Sequence, residues 1–135
     1  MQAHREALVG KRILVVEDQV LIAMLVEETL QDLGCELVGP VATLEDALAA
    51  VRQYQLDGAL LDANLRGENT SRAAEALAGN AVPFILVTGY ARRDADPPAF
   101  KAAPRVQKPF EPDDLANRMV EIFGGGGGKL EAPRA

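Results

Sequence analysis

The sequence predicts a doubly wound α/β domain, in which a parallel sheet is covered by helices on both faces. Two observations carry that expectation. Short apolar runs alternate with longer stretches whose apolar residues recur at helical spacing. The runs are also continuous, as in strands buried on both faces; half-solvated strands would alternate apolar with polar residues.

Ile13-Leu14-Val15-Val16 is the first such run and ends in Glu17-Asp18. Ile22, Leu25, Val26, Thr29, Leu30 and Leu33 then fall on one helical face, and Gly34 provides a C-terminal stop. Glu36-Leu37-Val38 is a second strand, closed by Gly39-Pro40. Thr43, with Asp46 three residues on, resembles a capping box and opens a helix marked by Leu44, Ala47, Leu48 and Val51. Ala59-Leu60-Leu61 forms the third strand and ends in Asp62.

The second half is less regular. Residues 70–78 are Ala-rich and read as a short helix stopped by Gly79-Asn80. Pro83 to Thr88 is the fourth strand, with proline at the first position, where the missing N–H is tolerated. Gly89 to Pro98 reads as a loop, and residues 99–103 leave room for about one helical turn. Arg105-Val106-Gln107 is a short fifth strand. Pro112 suits the first turn of a last helix whose apolar face is Leu115, Met119 and Ile122. The organisation is therefore a polar leader over 1–10, one domain over 11–123 and a Gly-rich flexible tail over 124–135.

Composition narrows the function. The chain has 135 residues, 48 % of them hydrophobic, which suits one globular domain. A net charge of −6 argues against a nucleic-acid surface, since binding phosphates requires clustered Lys and Arg. No apolar run is long enough to cross a bilayer, and Met1 to Glu6 lacks the apolar stretch of a secretory signal. The single Cys35 cannot form an internal disulfide, so a cytoplasmic location is expected, with Cys35 as a buried structural thiol. A lone His4 without neighbouring ligands argues against zinc.

In open α/β sheets the site lies beyond the carboxyl ends of the strands. Here those ends carry Glu17-Asp18, Asp62, Thr88 and Lys108. Carboxylates converging on one rim repel one another, and a hard cation with oxygen ligands, magnesium above all, relieves that repulsion. A carboxylate can act as a covalent nucleophile toward phosphorus. Thr88 offers a hydroxyl and Lys108 a point charge to phosphoryl oxygens. A Gly-x-x-x-x-Gly-Lys loop is absent, so the phosphoryl donor is expected to be another protein or a small phosphodonor rather than ATP.

Val15-Val16-Glu17-Asp18, Leu60-Leu61-Asp62-Ala63-Asn64, Leu86-Val87-Thr88-Gly89 and Gln107-Lys108-Pro109-Phe110 resemble, in order, the four signature blocks of response-regulator receiver domains. The resemblance implies a flavodoxin-like sheet of order 2-1-3-4-5, with Asp62 as phospho-acceptor. It implies a magnesium ion held by Asp18 and Asp62, by the backbone carbonyl of Asn64 and by Glu17 mainly through water. Thr88 and Lys108 would hold phosphoryl oxygens, and Lys108-Pro109 would be a cis peptide. The Asp62–Glu68 and Pro83–Tyr90 stretches are also similar to the receiver subgroup named for a Phe-Ala-Thr-Gly-x-Tyr run, in which the fourth helix is reduced. Leu86-Val87 replace Phe-Ala, and Tyr90 follows Gly89 directly. Tyr90 is the switch candidate, expected to move with phosphorylation, and three residues before Lys108 this chain has Arg105 where receivers usually carry the switch aromatic.

The expected function is that of a single-domain response regulator. A histidine kinase or histidine phosphotransfer protein would be the phosphoryl source, and an unidentified protein would read the 88–103 region downstream, with no nucleic acid or membrane involved. The chain would be a monomer or weak homodimer, and its acyl phosphate would hydrolyse slowly without turnover of other substrates. Two alternatives stand beside this: a phosphorylation-independent interaction module, and a phosphatase of the haloacid-dehalogenase type. The latter would normally carry a second acid where this chain has Asn64.

Overall fold

The structure is a computed structural model that describes residues 2–124, with side chains from residue 5. Five strands form one parallel sheet: β1 (Arg12–Val16), β2 (Glu36–Val41), β3 (Gly58–Asp62), β6 (Phe84–Thr88) and β7 (Arg105–Gln107), in the order β2-β1-β3-β6-β7. This is the 2-1-3-4-5 order expected, counted over the sheet strands. Strands β4 (Asn64–Leu65) and β5 (Glu68–Asn69) form a separate antiparallel hairpin that the sequence pattern did not announce. The helices are α1 (Val20–Leu33), α2 (Leu44–Gln53), α3 (Ser71–Gly79), α4 (Pro98–Lys101) and α5 (Pro112–Phe123).

Alternation along each strand feeds two cores. Ile13, Val15, Leu60 and Ile85 pack with Leu30, Leu115 and Met119 on the α1 and α5 face. Leu14, Val16, Leu61 and Leu86 pack with Leu44, Val51, Leu77 and Phe100 on the other. Helix α4 is a single turn, as its short sequence required, and the buried Phe100 anchors it in the core with Ala99 packed alongside. At α2 the cap forms as read, with Thr43 Oγ1 accepting from the Asp46 N–H at 3.0 Å.

Two segments depart from expectation. Strand β2 does not stop at Gly39-Pro40 but continues through it, with a bulge between Leu14 and Val16 in the register with β1. Gly39 adopts φ +100, and a Cβ there would lie 2.9 Å from the Val15 carbonyl oxygen, so this passage requires glycine. The polar leader is part of the fold: Gln2–Leu8 form a 3-10 helix against α1 and α5, and Leu8 is fully buried. The Gly10 N–H donates to the Gly34 carbonyl at 2.8 Å, which ties the segment to the end of α1. Cys35 packs beside it. Its thiol donates to the Leu8 carbonyl at 3.6 Å, and burial pushes its pKa up to about 11, as suits a structural thiol. Of the expected tail, residues 125–135 lie outside the described residues.

Candidate functional site

Parallel register brings the strand ends to one rim. Val16 pairs with Leu61 across β1 and β3, so Glu17 follows beside Asp62. Asp62 pairs with Val87 across β3 and β6, and Thr88 pairs with Gln107 across β6 and β7, one residue before Lys108. The Lys108 N–H donates to the Thr88 carbonyl at 2.7 Å, which fixes the backbone from which the lysine extends. The Lys108–Pro109 peptide is cis.

Glu17, Asp18 and Asp62 each offer a carboxylate oxygen, and these oxygens lie within 4.8 Å of one another. Glu17 and Asp62 are buried, whereas Asp18 is partly open. Lys108 Nζ stands among them, 3.2 Å from Glu17 Oε2, 3.2 Å from Asp62 Oδ2 and 3.2 Å from Gln19 Oε1. Lys108, together with the exposed Arg66 beside Asp18, still leaves three carboxylates short of balancing charge in so small a volume. Burial first, then the adjoining Asp62, pushes Glu17 up to about 7 from an ordinary 4.5. An all-oxygen set with surplus negative charge is the chemistry a hard divalent cation takes, so these residues fit magnesium.

Around this centre the hairpin and Thr70 hold the end of β3 in place. Asn64 N–H donates to Asp62 Oδ1 at 3.1 Å, and Thr70, fully buried, donates its hydroxyl to the Asp62 carbonyl at 2.7 Å. Arg66 (φ 51) and Gly67 (φ 87) both occupy the left-handed region, as a two-residue type I′ turn demands. This places Arg66 Nε 3.6 Å from Asp18 Oδ2. Thr88 is buried at the rim, and its Oγ1 accepts from the Tyr90 N–H at 3.2 Å. Tyr90 is 55 % exposed, and the Arg93 guanidinium carbon lies 4.3 Å from the centroid of its ring. Arg105 takes no part in the rim and is paired instead with the buried Asp96 at 3.3 Å.

Sequence reasoning did not single out Gln19, Arg66, Thr70 or Asp96. Thr70 had a readable signal as a hydroxyl residue at a helix start, but nothing local says that it serves Asp62 and not the helix.

A profile of the response regulator receiver domain matches residues 13–120. The chain belongs to this family. Its receiver domain is 28 % identical over 113 residues to the transcriptional regulatory protein PdtaR of Mycobacterium tuberculosis, a match that covers 82 % of this chain and 55 % of PdtaR. The chain therefore spans about half the length of the curated relatives it matches. Among solved structures, SdrG from Sphingomonas melonis Fr1 is 43 % identical with a TM-score of 0.71, covering 84 % of this chain and 95 % of SdrG. SdrG has also been solved in a BeF3-activated conformation, attributed to Pseudomonas melonis Fr1, which is 42 % identical with a TM-score of 0.69 and covers 83 % and 95 % of the two chains. The response regulator PhyR from Brucella abortus is 28 % identical with a TM-score of 0.76, covering 90 % of this chain and 51 % of PhyR. Among the described residues, no helix of the receiver domain is long and apolar enough to cross a membrane.

Proposed function

We propose that this receiver domain is a phospho-acceptor in which Asp62 takes a phosphoryl group from the phosphohistidine of a kinase or phosphotransfer protein. The observation that carries the reading is the clustering of the Glu17, Asp18 and Asp62 oxygens within 4.8 Å of one another, with the Lys108 ammonium 3.2 Å from Glu17 and from Asp62. An Asp62 oxygen forms the new bond to phosphorus as the P–N bond to the donor imidazole breaks, and the imidazole leaves with the bond's electron pair. Magnesium, held by Asp18, Asp62 and the Asn64 carbonyl, with Glu17 acting mainly through water, would supply positive charge to the phosphoryl oxygens. Lys108 transfers its hydrogen bonds from Asp62 to a phosphoryl oxygen, and the Thr88 hydroxyl donates to another.

The new charge at the rim favours a second arrangement of Thr88, Tyr90 and the segment up to Ala103, and this changes affinity for a downstream protein. Water later cleaves the acyl phosphate, so the domain resets itself slowly and turns over no other substrate. A cytoplasmic regulator that is monomeric or weakly dimeric fits this role. The activated form of SdrG, obtained with beryllofluoride, supports the reading by similarity.

Incubation with acetyl phosphate and magnesium, followed by intact mass, tests it. The wild type is expected to gain one phosphoryl group and Asp62→Asn none. Wild-type protein that stays unmodified with acetyl phosphate and with phosphohistidine donors alike, or label retained in Asp62→Asn, overturns the assignment.

A further inference from the structure

The segment 89–103 is held to the sheet by few polar ties. Arg92 donates to the carbonyls of Lys101 and Ala103, Lys101 Nζ to the carbonyl of Asp94, and the Arg93 N–H to Asp96 Oδ2, all within the segment. Among the described residues, the side-chain hydrogen bonds that cross from the segment to sheet strands involve only Thr88 and Arg105. Thr88 Oγ1 takes the Tyr90 N–H at one end. Arg105 Nη2 reaches Asp96 Oδ2 at 3.3 Å and the Phe100 carbonyl at 2.9 Å at the other.

These two ties are linked. Tyr90 stacks on Arg93, and the Arg93 N–H donates to Asp96 at 3.0 Å, so contacts run without a gap from Thr88 through Tyr90, Arg93 and Asp96 to Arg105. A cavity of about 60 Å³ adjoins this chain of contacts and is lined by Thr88, Tyr90, Arg93, Asp96, Phe100 and Arg105 among others, which leaves side-chain room on the inner side of the segment. Both partners of the outer tie are shielded from water, with side-chain exposures of 11 % for Arg105 and 6 % for Asp96. Shielding strengthens the bond and makes its loss costly. Arg105 Nε is buried and has no partner among the described residues, so the pair is short of one hydrogen bond that a shifted arrangement could provide.

We propose that the Asp96–Arg105 ion pair is a latch that holds the 89–103 segment in its resting arrangement and sets how readily occupation of the acceptor site moves it. The inference rests on the phospho-acceptor reading and assigns the regulation of that same site. When Thr88 turns its hydroxyl to a phosphoryl oxygen, the bond from the Tyr90 N–H is strained or lost, and the strain runs through Arg93 to Asp96. The latch opposes that movement. Releasing it removes part of the free-energy cost of activation, and linkage returns the difference as tighter binding at the acceptor site.

The test is a beryllofluoride titration at fixed magnesium, followed by amide NMR, on wild type, Asp96→Asn, Arg105→Gln and the double variant. Each single variant is expected to bind beryllofluoride at least about fivefold more tightly than wild type. The double variant should gain clearly less than the sum of the two singles, because both remove the Asp96–Arg105 bond while each also loses a contact of its own, Asp96 with Arg93 and Arg105 with the Phe100 carbonyl. Magnesium binding measured alone should not change, and the Tyr90 and Phe100 amides of the unliganded variants should move toward their bound positions. Unchanged or weaker beryllofluoride affinity in folded variants overturns the latch, as does a tightening matched by magnesium alone. If a variant fails to fold, Arg105→Met is read in the same titration. It removes the charge and both bonds of Nη2 while keeping an unbranched side chain, and absence of tightening there overturns the latch too. A wild type that binds no beryllofluoride sinks the phospho-acceptor reading and the latch with it. A wild type that responds while every variant matches it sinks the latch alone.

Discussion

Lys108 Nζ lies 3.2 Å from Asp62 Oδ2, so the carboxylate at the end of β3 is ion-paired across the sheet rim. The same ammonium reaches Glu17 and Gln19, and all four groups come from loops or strand ends that share one rim. The pairing offsets part of the repulsion among the acids and, on the proposed function, holds the lysine beside the carboxylate that would carry the phosphoryl group.

Removing the lysine should expose that repulsion. Lys108→Ala is expected to lower metal-free stability at neutral pH by about 1–3 kcal/mol, the scale for hydrogen bonds to charged groups. Urea unfolding with and without excess magnesium checks it. The deficit should shrink when the cation is present, and an equal deficit in both conditions would count against Lys108 as the charge balance of this cluster.

Glu17 should leave a signature in pH. Its pKa is pushed up to about 7 in the folded protein from an ordinary 4.5, so the folded state keeps a proton that the unfolded chain releases first. That contribution to stability is fully present below pH 4.5, declines as pH rises and is gone above about 7. Thermal unfolding of metal-free protein across this window should fall more steeply for wild type than for Glu17→Gln. Magnesium, which favours the ionised carboxylates, should flatten the wild-type slope. Parallel curves for the two proteins would refute the shift.

Gly58 is set by packing and not by backbone conformation. A Cβ there would lie 2.7 Å from the Phe123 ring, across the interface of β3 and α5. Gly58→Ala should destabilise by about 1–3 kcal/mol as the ring is displaced. In a Phe123→Leu background the same change should cost less. Equal costs in both backgrounds would show that the ring is not the obstacle.

The N-terminal segment should behave as core. Leu8 is fully buried against α1 and α5, so Leu8→Ala is expected to cost about 2–5 kcal/mol in urea unfolding. Val9, its neighbour, is 65 % exposed, and Val9→Ala should stay within about 0.5 kcal/mol. A Leu8→Ala effect as small as that at Val9 would return the segment to a loose leader.

The alternation of strands and helices, the placement of Glu17-Asp18, Asp62, Thr88 and Lys108 at four strand ends and the single-turn fourth helix could all be read from the chain. Each depends on local rules: a continuous apolar run, a 3.6-residue period, a glycine or proline that ends an element. The same rules misread β2 at Gly39-Pro40, because a bulge beside β1 depends on the neighbouring strand. They misread the N-terminus as well, because one leucine in a polar stretch has no period of its own. Tertiary structure alone decided the partners. Lys108 meets Asp62 across 46 residues and Glu17 across 91, Arg66 reaches Asp18 only because the hairpin turns back, and Arg105 pairs with Asp96 rather than with the rim. Sequence pattern specifies which face a side chain occupies within its own element. Which side chain it meets there is decided by strand order and register, which exist only once the sheet has formed.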